Sequence, residues 1–129
     1  MPGDREALVE AFEQFAAGDF RTATRIYAPA VEWIEHRAVP GAGEFAGADE
    51  VRRGFRGWLA SWRDYRLELL ELEGTGDRFL AAVRGSGRGD ISGAYAEDLF
   101  FQVWTFRRGK VVRIENFGER DEADAGLRR

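Results

Sequence analysis

The chain has 129 residues, 44% hydrophobic and 33% charged, with a net charge of −4 at pH 7 and no cysteine. That fits one globular domain with a single core; it excludes disulfides, thiol catalysis and cysteine-ligated metal, and offers no basic surface to nucleic acid or an anionic membrane. The N-terminal residues lack an apolar leader core and no apolar run approaches membrane-spanning length, so a cytoplasmic protein without membrane contact is expected.

Asp4 is placed to cap a first helix, with Glu6 in its first turn. Leu8, Ala11, Phe12 and Phe15 recur at helical spacing. Gly18-Asp19 breaks that helix, and Asp19 can cap a short second one lined by Phe20, Ala23, Ile26 and Tyr27, ending at or before Pro29. Residues 31–35 read as a strand, followed by a glycine- and proline-rich loop over 39–43. A third helix is expected from about Ala48, with Val51, Phe55, Trp58, Leu59 and Trp62 on one side. Gly54 and Gly57 each weaken it by roughly 1 kcal/mol relative to alanine, which close packing against another element would explain.

From Tyr65 the period changes to two: Tyr65, Leu67 and Leu69 alternate with Arg66 and Glu68. A turn over 74–77 leads into a strand over 78–84, and the glycines of 85–90 read as a flexible stretch with a further bend at Ser92-Gly93. Residues 97–120 read as a β-hairpin around Gly109. A two-residue Arg108-Gly109 turn would force Arg108 to positive φ, so a three-residue loop, Arg107-Arg108-Gly109, is expected. Phe106 then faces Lys110, Trp104 faces Val112, Gln102 faces Ile114 and Phe100 faces Asn116. In that register Phe100, Gln102, Trp104, Val112, Ile114 and Asn116 share an apolar face carrying two amides. Leu99, Phe101, Val103, Arg113 and Glu115 share the other. A last short helix over 121–127 ends in frayed arginines. Helices first and a meandering antiparallel sheet after them make an α+β layout.

Several motifs follow one another in a distinctive order: Gly18-Asp19 between two helices, Val31-Glu32-Trp33, Phe45-Ala46-Gly47 before a helix, Ser92-Gly93, the run 103–113, and 119–123. Together they resemble the nuclear transport factor 2-like superfamily and, within it, the SnoaL-like proteins, over nearly the whole chain; residues 1–129 are read as a single such domain. The resemblance implies a conical α+β barrel: three N-terminal helices packed on a strongly curved, mostly antiparallel sheet around a hydrophobic pocket, commonly in a homodimer built through the outer sheet face. The superfamily includes ketosteroid isomerases, polyketide cyclases, epoxide hydrolases and dehydratases, beside members without assigned activity, so the fold leaves function open. Anchored on Gly18-Asp19 and Tyr27, Glu35 falls where ketosteroid isomerases carry their proton-shuttling aspartate. Their oxyanion-hole tyrosine falls near Ala11, and their protonated aspartate falls on Gln102. Anchored on Gly109, the polyketide cyclase's histidine falls on Gln102 and its acid–base aspartate on Asn116. Amides can hydrogen-bond a ligand but shuttle no proton at neutral pH.

Glu35 and His36 are the catalytic candidates, because a carboxylate desolvated in an apolar cavity suits general acid–base work. A single histidine cannot build a multi-histidine metal site, and neither a metal nor another cofactor is expected. Gln102, Asn116, Phe100, Trp104 and Ile114, with Trp33, Phe55 and Trp58, are expected to line a site for a small, largely apolar organic ligand. Asp98 shares the inner parity. Glu97 and Glu115 lie on the other face, suited to Arg113 or a dimer partner. The four tryptophans fit either core packing or an aromatic cage. The glycines of 85–89 lack the following helix and Gly-Lys-Ser/Thr of a phosphate loop. Two functions therefore stand side by side: a cofactor-independent acid–base enzyme (isomerase, cyclase, dehydratase or hydrolase) using Glu35, and a non-catalytic ligand-binding or dimerisation module. A homodimer is expected because Leu99, Phe101 and Val103 make the outer face too apolar to stand exposed.

Overall fold

The structure, a computed structural model, describes residues 3–37 and 43–129; most of the loop expected over 39–43 lies outside the described residues. Its elements run α1 (Asp4–Ala16), α2 (Phe20–Ala23) with a 3₁₀ turn over Thr24–Ile26, β1 (Tyr27–Glu35), β2 (Phe45–Ala46), α3 (Ala48–Leu59), β3 (Trp62–Thr75), β4 (Arg78–Gly89), β5 (Tyr95–Arg107), β6 (Lys110–Phe117) and α4 (Arg120–Arg128). The strands form one sheet in the order β2-β1-β6-β5-β4-β3. Every pairing is antiparallel except β1 with β6, which is parallel. Register shifts in β1/β6, β3/β4 and β5/β6 add twist and bend the sheet around α1 and α3. The result is the curved α+β architecture expected.

The apolar stripe of α1 is buried at Leu8, Ala11, Phe12 and Phe15. Gly3 occupies the cap, so Asp4 joins Glu6 in the first turn, where both carboxylates meet the positive end of the helix dipole. Asp19 caps α2 by accepting the Thr22 N–H at 3.2 Å. Tyr27, expected in that helix, instead opens β1. The following Ala28 precedes a proline and is steered to extended backbone, which ends the helical run early. Pro29 costs no ladder bond, because β1 pairs with β6 at Tyr27 and next at Glu32.

Two further expectations change. Trp62 is the first residue of β3, paired with Gly89, and does not continue α3. The stretch from Gly85 to Gly89 is the end of β4, not a flexible loop. Its glycines make room: a Cβ on Gly85 would collide with the Tyr65 hydroxyl, and one on Gly87 would lie 3.2 Å from the Tyr65 ring. Gly54 has a similar reason, since the Phe45 ring lies 2.9 Å from where its Cβ would stand, pressing β2 onto α3. A Cβ on Gly57 would meet no described residue within 4 Å.

The hairpin turn is the two-residue one, with Arg107 paired to Lys110 and φ of 54° at Arg108 and 78° at Gly109. Two left-handed residues give the turn whose twist matches the strands, and that match outweighs the cost of about 1–2 kcal/mol at Arg108. Val112 is then left unpaired between Val111 opposite Phe106 and Arg113 opposite Thr105. This bulge turns Val111 inward in place of Val112 and brings Trp104 opposite Ile114 and Gln102 opposite Asn116.

On the outer face α4 forms a second, smaller core, with Ala123 and Leu127 against Leu80, Phe101, Val103 and Phe117. Phe101 and Val103 are thus covered by the chain itself, while Leu99 remains 53% exposed. The end of α4 is tied back to β4: the Arg78 guanidinium donates to the backbone oxygens of Gly126 at 2.9 Å and Arg129 at 2.5 Å. Among the described residues no helix is long and apolar enough to cross a membrane.

Candidate functional site

A cavity of about 590 Å³ opens between the sheet and α3. β1 contributes Trp33 and Glu35, with Arg37 just beyond it; β2 contributes Phe45. Val51, Gly54, Phe55, Gly57 and Trp58 of α3 form the opposite wall, and Trp62, Tyr65 and Leu67 of β3 close one side. Gly85, Phe100, Gln102 and Asn116 form the sheet floor, with Ala96, Glu97 and Asp98 at its edge. The stiff alternation of each strand selects these positions, since residues two apart share a face.

Gln102 and Asn116 are buried and joined to each other. The indole Nε1 of Trp104 donates to Gln102 Oε1 at 3.0 Å, Gln102 Nε2 donates to Asn116 Oδ1 at 2.9 Å, and Asn116 Nδ2 donates to the Ile34 carbonyl at 3.4 Å. An indole can only donate, so it fixes the orientation of the first amide, and that amide fixes the second. The chain ties β5, β6 and β1 together beneath the cavity.

Glu35 has a side chain only 5% exposed, and Arg37 takes both its oxygens: Nε reaches Oε1 at 2.8 Å and Nη2 reaches Oε2 at 3.0 Å. The Arg37 backbone N–H adds a third bond to Oε1 at 3.0 Å. Arg37 Nη1 donates to Asp98 at 2.9 Å, and the guanidinium lies 4.5 Å over the Phe100 ring. Burial works against its charge, but Glu35 and then Asp98 more than offset this and hold Arg37 above its ordinary pKa. Glu35 is therefore an ion-paired carboxylate, not the lone desolvated group expected. Burial, with the Asp98 charge adding to it, pushes the Tyr65 phenol up.

Of the residues expected at the site, Glu35, Trp33, Phe55, Trp58, Phe100, Gln102 and Asn116 border the cavity. Three lie elsewhere. His36 follows Glu35 on the opposite face, stacked 4.5 Å from Phe117 with Nε2 3.2 Å from Glu115 Oε2. Ile114 is wholly buried in the core, and Trp104 sits behind Gln102 against the Phe12 ring at 5.6 Å. Glu115 meets His36, while Arg113 meets Glu32 at 3.4 Å. Glu97 borders the cavity rim, and its carboxylate accepts the Tyr95 hydroxyl at 2.6 Å. Sequence reasoning passed over Arg37, although Glu35 and Arg37 stand two residues apart and so share a side. It also missed Trp62, because the change from helix to strand was placed three residues late, and Tyr65, whose strand was expected but whose place against Gly85 and Gly87 is set by another strand.

Residues 7–114 match the model of the SnoaL-like domain. The chain belongs to that family. An NTF2-like protein from Burkholderia thailandensis E264 is similar at 28% identity and TM-score 0.81, over 100% of this chain and 99% of the other. An NTF2-like protein of unknown function from Burkholderia pseudomallei K96243 is similar at 23% identity and TM-score 0.79, over 100% of both chains. TerC, co-crystallised with polyporic acid, shares the fold at 22% identity and TM-score 0.76, over 96% of each chain. No curated protein matches. In this SnoaL-like domain the two floor positions that the resemblance aligned with the cyclase's ionisable pair are amides bonded to one another.

Proposed function

We propose that this SnoaL-like domain binds a small, largely apolar ring compound in the cavity beneath α3. One observation carries the reading: the cavity has aromatic walls, and the polar groups deepest in it, Gln102, Asn116 and Glu35, already have protein partners. A ligand's hydrocarbon body therefore meets rings, and among the described residues that border the cavity the buried polar atom without a partner is the Trp62 Nε1–H donor. The volume falls within the range of about 300–1,000 Å³ typical of small-molecule sites. TerC was co-crystallised with polyporic acid, which supports a small organic molecule as the ligand class here but not its charge. The test is native mass spectrometry of the purified protein, with identification of any small molecule released on denaturation. A Trp33→Ala, Trp62→Ala variant that carries the same molecule at the same occupancy would refute the reading.

A second reading, acid–base catalysis by Glu35, is favoured by its burial at the cavity wall. Three hydrogen bonds occupy its oxygens, and a carboxylate has about four acceptor positions, so one remains for a substrate proton. If Glu35 is the base, Glu35→Gln lowers turnover by about 10²–10⁴-fold. If the domain only binds, the variant keeps its affinity and there is no turnover to lose. A homodimer through the outer sheet face is the corresponding assembly. Its apolar contact would centre on Leu99, since α4 already covers Phe101 and Val103. Sedimentation showing only monomer at micromolar concentration would exclude it.

A further inference from the structure

The charges around the cavity are unbalanced. Three carboxylates (Glu35, Glu97 and Asp98) and one guanidinium (Arg37) border it, a net charge of −2 with all four ionised. Arg37 is shared between Glu35 and Asp98, and the Glu97 carboxylate accepts the Tyr95 hydroxyl at 2.6 Å, so the surplus beside the cavity lies at Asp98, 68% exposed on the rim. Beside that rim stand Trp58, Trp62 and Tyr65, with ring centroids 5.4–6.1 Å apart, two at tilted angles and one edge-on. Aromatic faces carry negative potential and attract cations, most strongly for tryptophan. The Asp98 carboxylate adds to this, its charge being felt at the Tyr65 phenol, where the Arg37 charge acts against it.

We infer that the cavity selects a ligand whose apolar ring body carries a cationic ammonium group, seated among Trp58, Trp62 and Tyr65 beneath Asp98. The inference rests on the pocket reading above and adds the ligand's charge. The wall already displays this chemistry in one place: the Arg37 cation lies over Phe100 between two carboxylates. An organic acid is disfavoured by the same geometry, because Arg37 has no net positive charge left to offer it.

Three probes of matched shape test this: 2-naphthyltrimethylammonium, its uncharged isostere 2-tert-butylnaphthalene, and 2-naphthoate, followed by tryptophan fluorescence and calorimetry. The ammonium is expected to bind at least about threefold more tightly than the isostere, with naphthoate weakest. In Asp98→Asn the ammonium's advantage shrinks by about two- to fivefold while the isostere's affinity holds, as expected for a charge at the solvent-exposed rim. Because Asp98 also holds Arg37, Trp58→Leu provides the second variant: it removes an aromatic face of the cage and shrinks the ammonium's advantage over the isostere. An isostere or naphthoate that binds as tightly as the ammonium overturns the inference and leaves the pocket reading standing. If no probe binds or shifts the fluorescence, the pocket reading falls and the inference with it.

Discussion

Replacing Gln102 with leucine tests the buried chain beneath the cavity. Leucine is close in volume and opens no large void, so the cost is polar. Two groups lose their partner: the Trp104 Nε1 donor at 3.0 Å and the Asn116 Oδ1 acceptor at 2.9 Å. An orphaned buried group costs about 1–3 kcal/mol, which sets a ceiling near 6 kcal/mol. Gln102 and Asn116 both border the cavity, so water can satisfy Asn116, while the indole N–H is sealed against the core. The expected loss is therefore that of the one stranded donor, about 1–3 kcal/mol. Urea denaturation monitored by circular dichroism measures it. The decisive comparison is a double-mutant cycle with Trp104→Phe, which removes the donor that Gln102→Leu strands. In that background Gln102→Leu should cost at least about 1 kcal/mol less. If the two changes add within about 0.5 kcal/mol, the indole and the amide are not coupled and the reasoning fails.

The turn predicts a gain: Arg108→Asn should stabilise the protein by up to about 1 kcal/mol, since asparagine tolerates the left-handed conformation at φ 54°, and an unchanged urea midpoint would contradict this. Gly85→Val should displace the Tyr65 side chain and cost about 1–3 kcal/mol, with a lost ligand response by fluorescence; Gly57→Ala, which meets no neighbour, should leave the fold intact by the same measures. Tyr27 is buried and its phenol is pushed well above the ordinary value of about 10. The folded form therefore keeps a proton that the unfolded chain releases, so its contribution to stability is complete below about pH 10 and is lost as pH rises beyond it, by about 1.4 kcal/mol per unit. Tyr27→Phe should flatten that decline in urea midpoints between pH 9 and 11.5, and an unchanged slope would refute it.

Much of the fold was legible because period and punctuation agree with it. The stripe of α1, the cap at Asp19, the start of α3 and the inward parity of Phe100, Gln102 and Trp104 all follow from local patterns. The losses come where a tertiary contact overrules a local preference. Arg108 enters the left-handed region because the strands' twist demands it, and the bulge at Val112 then resets the pairing by one residue. The glycines from 85 to 89 read as flexible because the purpose of Gly85 and Gly87, room for Tyr65, lies on another strand. At the site, the residue types were readable but their partners were not. Glu35 looked like an isolated acid because nothing local fixes where the Arg37 side chain turns, and the alternation that sends His36 to the opposite face separates it from Glu35.

The parallel pairing of β1 with β6 has a consequence in time. β3 to β6 can zip through successive short turns, whereas seating Glu35 beside Asn116 closes a loop of about eighty residues, and that closure entropy must be met before the contact rewards it. The segment that carries Glu35 and Arg37 is then expected to join last, after the sheet floor exists. Changes there should alter how fast the native state opens far more than how fast it forms, so the mouth of the cavity and the kinetic lifetime of the fold are governed by the same few residues.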